Sequence, residues 1–166
     1  MNDKQILGLD FGGVILDFIR YNNTDLSFKS ENYLNTPEVE RAIDSIRKLN
    51  QSKFKGNIYL VSKHGPEGPK RILEWIHHKN FFNVTGIPED HFYPCAERHE
   101  KEGIVRKLGV THFVDDRAEV LEHMIGTVPN LYLFQNLAEN KEEFAHTHDK
   151  MTFVESWDEL LPLLLK

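Results

Sequence analysis

The segment Ile6-Leu7-Gly8-Leu9-Asp10-Phe11-Gly12-Gly13-Val14 (residues 6–14) opens with an apolar run that ends on a carboxylate and is followed by two glycines. An unbroken apolar run of this length is typical of a buried parallel strand, whereas a half-exposed strand alternates apolar and polar residues. The glycines indicate a sharp turn where the backbone passes close to another group. Because ligands of open α/β sheets bind outside the carboxyl ends of the strands, we expect Asp10 to point at a functional site.

Further apolar runs alternate with helical patterns along the chain, and this alternation predicts a parallel sheet covered by helices. Additional strands are predicted at residues 57–62, 91–95, 111–116 and 131–134. Pro94 restricts the strand at 91–95 to an edge or a terminus, and Thr36-Pro37 is typical of a helix start. The predicted fold class is therefore α/β, a Rossmann-like three-layer sandwich with a parallel sheet of about five strands.

The bulk composition is that of a globular protein and excludes several classes of function. A chain of 166 residues fits one domain, and its net charge of −6 argues against non-specific binding to nucleic acid or anionic membranes. No apolar run approaches the ~20 residues of a membrane span. The single cysteine, Cys95, excludes an intramolecular disulfide and fits a reducing compartment. The first four residues lead directly into the first strand and leave no room for a signal peptide, so we expect a cytoplasmic location.

Four chemistry-bearing features follow the predicted strands in a fixed order. Asp10 ends the first strand, Ser62 ends the second, Lys101 lies in a later helix, and Asp115-Asp116 ends the fourth strand. Adjacent carboxylates at the end of an apolar strand repel each other unless a cation or another partner lies there. Over about residues 5–134, this order resembles that of the haloacid dehalogenase (HAD) superfamily of aspartate-nucleophile hydrolases, and the resemblance implies a HAD-like core.

A looser resemblance links the chain to the deoxyribonucleotidase branch of the superfamily. In that branch a helix with a Trp, an aromatic pair, an Arg-x-x-Lys step and an Asp-Asp-Arg step follow one another. The corresponding residues here are Trp75, Phe81-Phe82, Arg98 to Lys101, and Asp115-Asp116-Arg117.

The resemblance implies Mg²⁺ as cofactor, an ion that prefers hard oxygen ligands in octahedral geometry. Asp10 would provide one ligand and the backbone carbonyl of Gly12 a second. Asp116 would be the third direct ligand, and Asp115 would be an outer-shell partner that acts through water.

The resemblance also implies a two-step reaction in which Asp10 attacks phosphorus and forms an aspartyl-phosphate. Lys101 would pair with Asp10 and with the transferred phosphoryl oxygens as a point charge. The remaining phosphate oxygens would be held by the Ser62 hydroxyl, by Lys63 and by backbone N–H groups at Gly12 and Gly13.

Gly12 departs from the pattern, because phosphatases of the superfamily usually carry a second Asp two residues after the first. That Asp would protonate the leaving oxygen and later activate water, a contribution of ~10²–10⁴-fold in rate. Another group can replace it, and His64 is the nearest candidate in sequence. Alternatively the chemistry is that of a non-phosphatase branch, although the dehalogenase and phosphonatase branches place Tyr or Ala at this step. A third interpretation is a catalytically weak or inactive HAD-fold protein with a binding or regulatory role.

Residues 17–36 are polar and irregular, and they hold at most a flap or a minimal cap. The interval between Ser62 and Lys101 is filled by elements that the core itself needs, so we expect one HAD-like domain over residues 1–166, capless or minimally capped. An open site excludes water poorly. Expected substrates are therefore a small phosphorylated molecule or a macromolecule, with the second subunit of a homodimer as one means of covering the site. We predict a Mg²⁺-dependent phosphohydrolase that acts through Asp10.

Overall fold

The computed structural model describes residues 3–135 and 145–166. Its strands are β1 (Leu7–Leu9), β2 (Ile58–Lys63), β3 (Phe92–Cys95), β4 (His112–Asp115), β5 (Asn130–Phe134) and β6 (Thr152–Val154). Its helices are α1 (Ala42–Gln51), α2 (Gly68–His78), α3 (Phe81–Thr85), α4 (Glu100–Leu108), α5 (Ala118–Glu122) and α6 (Trp157–Leu165). Short 3₁₀ turns lie at Tyr33–Asn35, Glu89–His91 and Ala145–Lys150.

The strands form one parallel sheet in the order β3-β2-β1-β4-β5-β6. β1 lies at its centre, where Leu9 is in register with Leu60 of β2 and with Val114 of β4. The strand order reverses between β1 and β4, and such a reversal opens a crevice at the carboxyl ends of the two strands. The topology therefore places the end of β1 at the usual ligand-binding position of a doubly wound sheet.

Helices cover both faces of the sheet. On one face α1, α2 and α6 bury Ile46, Trp75 and Trp157 in a cluster with the strand residue Leu9. The opposite face carries α4 and α5, and its buried cluster includes Val105, Leu121, Val61, Phe113 and Leu133. This arrangement confirms the predicted α/β three-layer sandwich.

Two local predictions differ from the structure, while a third agrees with it. The described residues form six strands, because the three residues Thr152–Val154 pair with β5. The helix predicted to begin at Thr36-Pro37 begins instead at Ala42. The Pro37 carbonyl accepts a hydrogen bond from the Asp17 N–H at 3.0 Å, so tertiary contacts hold this segment against the loop after β1. β3, which contains Pro94, lies at an edge of the sheet as predicted.

Within the ranges that the structure describes, no helix has both the length and the apolar character needed to cross a lipid bilayer.

Candidate active site

A cavity opens at the carboxyl ends of β1, β2 and β4. Seven of the nine residues singled out from the sequence line it: Asp10, Gly12, Ser62, Lys63, His64, Lys101 and Asp116. The other two, Gly13 and Asp115, are buried behind the lining. Residues that lie far apart along the chain are therefore brought together at the switch point of the sheet.

Lys101 bridges two of the carboxylates. Its Nζ lies 3.0 Å from Oδ1 of Asp10 and 2.8 Å from Oδ2 of Asp115, and its side chain is only 3% exposed. Burial alone would lower the pKa of Lys101, but the charges of Asp10 and Asp115 outweigh burial and raise that pKa above its usual range. Lys101 is therefore a fixed cation beneath the Asp10 carboxylate.

Ser62 fixes the same oxygen of Asp10. Its hydroxyl donates to Oδ1 of Asp10 at 3.2 Å, and its side chain is buried at the end of β2. The Sγ of Cys95 donates to the Ser62 carbonyl at 3.5 Å. Because two donors, Ser62 and Lys101, converge on one oxygen, the Asp10 carboxylate has a defined orientation toward the cavity.

Asp10, Asp115 and Asp116 form a buried cluster of carboxylates. One oxygen from each lies within 4.8 Å of the others. Burial, and then the charge of Asp10, raises the pKa of Asp115 to about 6, although Lys101 opposes this. Burial together with Asp10 and Asp115 raises the pKa of Asp116 to about 9. Burial and the neighbouring negative charges therefore both hold back ionisation of Asp115 and Asp116, and this environment favours a bound cation.

The donor set fits a hard divalent cation. Two of the three carboxylates, Asp10 and Asp115, form salt bridges to the ammonium of Lys101, and carboxylate oxygens are the ligands that Mg²⁺ prefers. Asp115 also accepts the Arg117 N–H at 3.0 Å through Oδ1, which anchors its side chain in the loop after β4. Asp10, Asp115 and Asp116 could therefore hold Mg²⁺.

Gly13 makes room for Asp116. Its φ of +83° lies in the left-handed region, and a Cβ at this position would overlap the Asp116 carboxylate. The Gly13 N–H donates to the Leu16 carbonyl at 2.9 Å. The loop is further held by Trp157, whose Nε1 donates to the Val14 carbonyl at 2.8 Å. The second glycine of the motif thus allows the loop after β1 to pass directly against the carboxylate cluster.

Gly12 faces open space on the cavity wall. Apart from Gly12 and its two chain neighbours, no heavy atom of the described residues lies within 4 Å of the position that a Cβ would occupy. A side chain at this step would therefore begin in open space.

His64 lies in the loop directly after β2 and lines the same cavity as Asp10. Its backbone N–H donates to the Cys95 carbonyl at 2.9 Å. The ring atom Nε2 is buried, and within the described ranges it has no hydrogen-bond partner. Burial lowers the pKa of His64 to about 4, and Lys101 and Lys63 add to this against the opposing charge of Asp10. The ring is therefore neutral at neutral pH.

The cavity is also lined by residues that sequence reasoning did not assign to the site, among them Phe18, Phe28, Arg98 and Arg117. The guanidinium of Arg98 pairs with Glu119 at 3.0 Å, and both side chains are about two-fifths exposed. Of these four residues, only the arginines had a signal in the sequence, because Arg98 precedes Lys101 by three residues and Arg117 directly follows Asp116. The phenylalanines come from the irregular segment 17–36, whose folding depends on tertiary contacts.

Helix α2 holds segment 17–36 in place beside the cavity. The Tyr33 hydroxyl hydrogen-bonds to Glu74, and Arg71 donates to the Phe28 carbonyl at 3.2 Å. Trp75 Nε1 donates to the Thr36 carbonyl at 2.8 Å. The predicted flap therefore places Phe28 on the cavity wall through contacts with a helix of the core.

Comparison with known proteins gives one curated relative and several solved structures. No family model matches the chain. A Bacillus cereus protein described as "Putative nucleotidase" is 24% identical over 125 residues, which cover 75% of this chain and 59% of that protein. The chain thus spans about three-fifths of the length of the curated relative that it matches.

The solved structures are HAD proteins of similar size. One is the D,D-heptose 1,7-bisphosphate phosphatase from B. bronchiseptica in complex with magnesium and phosphate, with a TM-score of 0.64 and 16% identity. The match covers 97% of this chain and 98% of the phosphatase chain. A HAD-superfamily hydrolase from Ehrlichia chaffeensis has a TM-score of 0.61 and 12% identity, with 99% and 97% coverage. The Burkholderia thailandensis heptose bisphosphatase has a TM-score of 0.57 and 13% identity, with 98% and 99% coverage. These likenesses confirm the predicted resemblance at the level of the fold, which is HAD-like.

Proposed function

We propose that the protein is a Mg²⁺-dependent phosphohydrolase in which Asp10 is the nucleophile. The single observation that carries the proposal is the buried cluster of Asp10, Lys101, Asp115 and Asp116 at the switch point of the sheet. A merely structural ion pair would not need a third carboxylate in the same buried volume, since each additional buried charge costs free energy. The HAD fold and the phosphatases that share it support the same reading.

In this proposal Asp10 attacks the phosphorus atom and is itself phosphorylated. The Asp10–phosphorus bond forms while the bond to the leaving oxygen breaks, and water then releases phosphate from the aspartyl-phosphate. Lys101 and Ser62 hold the Asp10 carboxylate through Oδ1. Their hydrogen bonds orient the nucleophile before substrate arrives, so that less of the barrier is spent on alignment.

The metal would be held by Asp10, Asp116 and the Gly12 carbonyl, with Asp115 acting through a water molecule. Mg²⁺ in this position would neutralise the phosphoryl oxygens so that an anionic nucleophile can approach phosphorus. The phosphate-binding groups would be the Ser62 hydroxyl, Lys63, Lys101 and the backbone at Gly12. Gly13 would contribute by leaving room for the Asp116 carboxylate. Its N–H already donates to the Leu16 carbonyl, so it would bind phosphate only as a donor shared between the two acceptors.

His64 would serve the second step. Its buried Nε2 lines the cavity without a partner among the described residues, and its neutral ring can take a proton from the attacking water. His64→Gln should then slow hydrolysis of the phosphorylated enzyme more than it slows the phosphorylation of Asp10.

The substrate class remains a proposal that rests on the cavity wall. Phe18 and Phe28 provide an aromatic surface, and Lys63, Arg98 and Arg117 provide positive charge. An aromatic phosphate ester fits both features, and nucleotides belong in the substrate panel because the curated relative is described as a nucleotidase. A macromolecular phosphate, or a second subunit that covers the site, is compatible with the same opening.

Gly12 is the observation that favours a second candidate function. Because no side chain fills the space beside it, the protein could bind a phosphorylated partner with little or no turnover. A binding protein would retain Mg²⁺ and phosphate affinity but would show no release that depends on Asp10.

The experiment that separates the two is phosphate release from an aryl phosphate and a panel of phosphometabolites, with Mg²⁺ and with EDTA. Turnover that needs both Mg²⁺ and Asp10, and is absent in Asp10→Asn, supports the hydrolase. Binding of Mg²⁺ and phosphate without release from any substrate supports the binding protein. Release that is equal in wild type and Asp10→Asn contradicts the nucleophile assignment.

A further inference from the structure

The cavity is lined by positively charged side chains and by the proposed nucleophile Asp10. None of the side chains described in its lining is suited to protonate a departing oxygen. Asp10 is the nucleophile, and Asp116 belongs to the carboxylate cluster that would hold the metal. The Nζ of Lys101 forms salt bridges to the carboxylates of Asp115 and Asp10 at 2.8 and 3.0 Å. Arg98 and Arg117 carry guanidinium groups, which do not give up protons in proteins.

Lys63 also lines the cavity, but it is exposed to solvent at the end of β2. The two remaining places for a proton donor inside the cavity are Gly12 and His64. Gly12 has no side chain, and the space where one would project is open. The His64 ring is partly buried, and burial disfavours a protonated imidazole; the charges of Lys101 and Lys63 add to this effect, and the charge of Asp10 opposes it. His64 is therefore neutral when substrate binds and has no additional proton to donate to the leaving oxygen.

We propose that this site acts on activated phosphates, whose leaving oxygen departs as a stable anion without being protonated. The class comprises aryl, enol and acyl phosphates and phosphoanhydrides, and it excludes simple alkyl phosphates as efficient substrates. The inference rests on the proposed function, because it concerns the first step at the same Asp10.

The first step balances without a proton. One Asp10 carboxylate oxygen donates an electron pair to phosphorus, the bond from phosphorus to the leaving oxygen breaks, and that oxygen departs with the bonding pair as an anion. In the second step water forms a bond to phosphorus, the Asp10–phosphorus bond breaks, and the carboxylate is restored. The proton lost by the water passes to His64 or to solvent.

The same cavity has groups that stabilise an anionic leaving group. Lys63, Arg98 and Arg117 line it and carry positive charge, and Arg98 is only partly neutralised by its exposed pair with Glu119. Fixed positive charge near a developing anion lowers the barrier in a partly buried site. Charge stabilisation thus takes the place of proton donation, and it helps most when the leaving oxygen is already weakly basic.

The size of the missing contribution sets the size of the expected effect. General acid catalysis is worth ~10²–10⁴-fold in rate and matters most for strongly basic leaving groups. An enzyme without it should show a steep fall in kcat/KM from nitrophenyl phosphate through phenyl phosphate to an alkyl phosphate. An enzyme with a general acid should show a shallow one.

The test measures kcat/KM for that substrate series in wild type, Gly12→Asp and Gly12→Asn. The parameter kcat/KM reports the steps up to departure of the leaving group, so slow hydrolysis of the phosphorylated enzyme does not mask the effect. A Cβ at Gly12 would project into open space, so neither substitution meets a clash at its first side-chain atom. Asn matches Asp in size but carries no carboxylic acid, so it controls for changes in packing or metal position.

We expect a steep dependence in wild type, and Gly12→Asp should raise the alkyl-to-nitrophenyl ratio of kcat/KM ~10²-fold while Gly12→Asn leaves the ratio unchanged. A shallow dependence in wild type overturns the inference whatever the variants do. An equal change of the ratio in Asp and Asn variants also overturns it. Both of these outcomes leave the proposed function intact provided that Asp10→Asn abolishes release. Absence of Asp10-dependent release from every substrate contradicts the proposed function and this inference together.

Discussion

The position of the Asp116 carboxylate depends on the absence of a side chain at Gly13. Gly13 combines a φ of +83° with a Cβ position that the Asp116 carboxylate already occupies. Gly56 has a similar φ of +87° but open space around its Cβ position. Alanine substitution at the two positions therefore separates the free-energy cost of a left-handed backbone conformation from that of steric overlap.

At the residue scale, we predict that Gly13→Ala destabilises the fold more than Gly56→Ala does. The left-handed conformation alone costs ~1–2 kcal/mol for a residue with a Cβ, and displacement of a buried carboxylate should bring Gly13→Ala to ~3 kcal/mol. Urea unfolding of both variants measures the difference, and a Mg²⁺ titration should show weaker binding only in Gly13→Ala. Equal destabilisation with unchanged Mg²⁺ affinity would contradict the role assigned to Gly13.

At the element scale, β4 carries a buried histidine as well as the carboxylates. His112 is 5% exposed and packs edge-to-face against Phe54 at 5.4 Å between ring centroids. Burial, with a smaller contribution from the charge of Lys53, lowers the pKa of His112 to about 4. The strand that delivers Asp115 and Asp116 is therefore anchored by a ring that must stay neutral.

This anchoring predicts a loss of stability in mild acid. Between the ordinary histidine pKa of ~6.5 and the folded-state value of about 4, the unfolded chain takes up a proton that the folded chain does not. The contribution of His112 is thus present above pH ~6.5 and is lost as pH falls toward 4. His112→Gln should flatten the dependence of Tm on pH in this window, whereas Gln at the exposed His123 should not. Parallel Tm profiles for wild type and His112→Gln would contradict the prediction.

The elements also show how far the sequence could predict the fold and the site. The central strand, the edge position of Pro94 and the convergence of Asp10, Ser62, Lys101 and Asp115-Asp116 followed from local pattern and the α/β topology. β6 has only three residues, two of them exposed, so it lacked a periodic signal. The start of α1 was misplaced because the tertiary hydrogen bond from Asp17 to the Pro37 carbonyl overrides the local cap signal.

The cavity wall was missed for the same physical reason. Phe18 and Phe28 lie in a segment without periodicity, and the Phe28 position depends on hydrogen bonds to α2 that no local pattern encodes. Arg98 and Arg117 were visible as motif neighbours, but a surface arginine and a cavity arginine have the same sequence signal.

At the scale of the whole molecule, metal binding should be linked to global stability. Ions that bind only the folded state stabilise it by RT ln(1 + [L]/Kd), or ~2.7 kcal/mol at one hundred times Kd. Mg²⁺ should therefore raise Tm in wild type, and Asp116→Ala should remove the shift because it deletes one member of the cluster. Asp90→Ala, at a side chain that is 88% exposed, is the matched control and should keep the full shift. An undiminished shift in Asp116→Ala would place the metal elsewhere.

The proposed reaction depends on covalent chemistry at Asp10, and trapping the phosphorylated enzyme tests this most directly. Wild type and Asp10→Asn are mixed with an activated aryl phosphate and Mg²⁺, quenched within one turnover, and mapped by peptide mass spectrometry. We predict a phosphoryl group on the wild-type peptide that contains Asp10, and no label in Asp10→Asn or in the presence of EDTA. Mg²⁺-dependent turnover that persists in Asp10→Asn, with no label on Asp10 in wild type, would contradict the account.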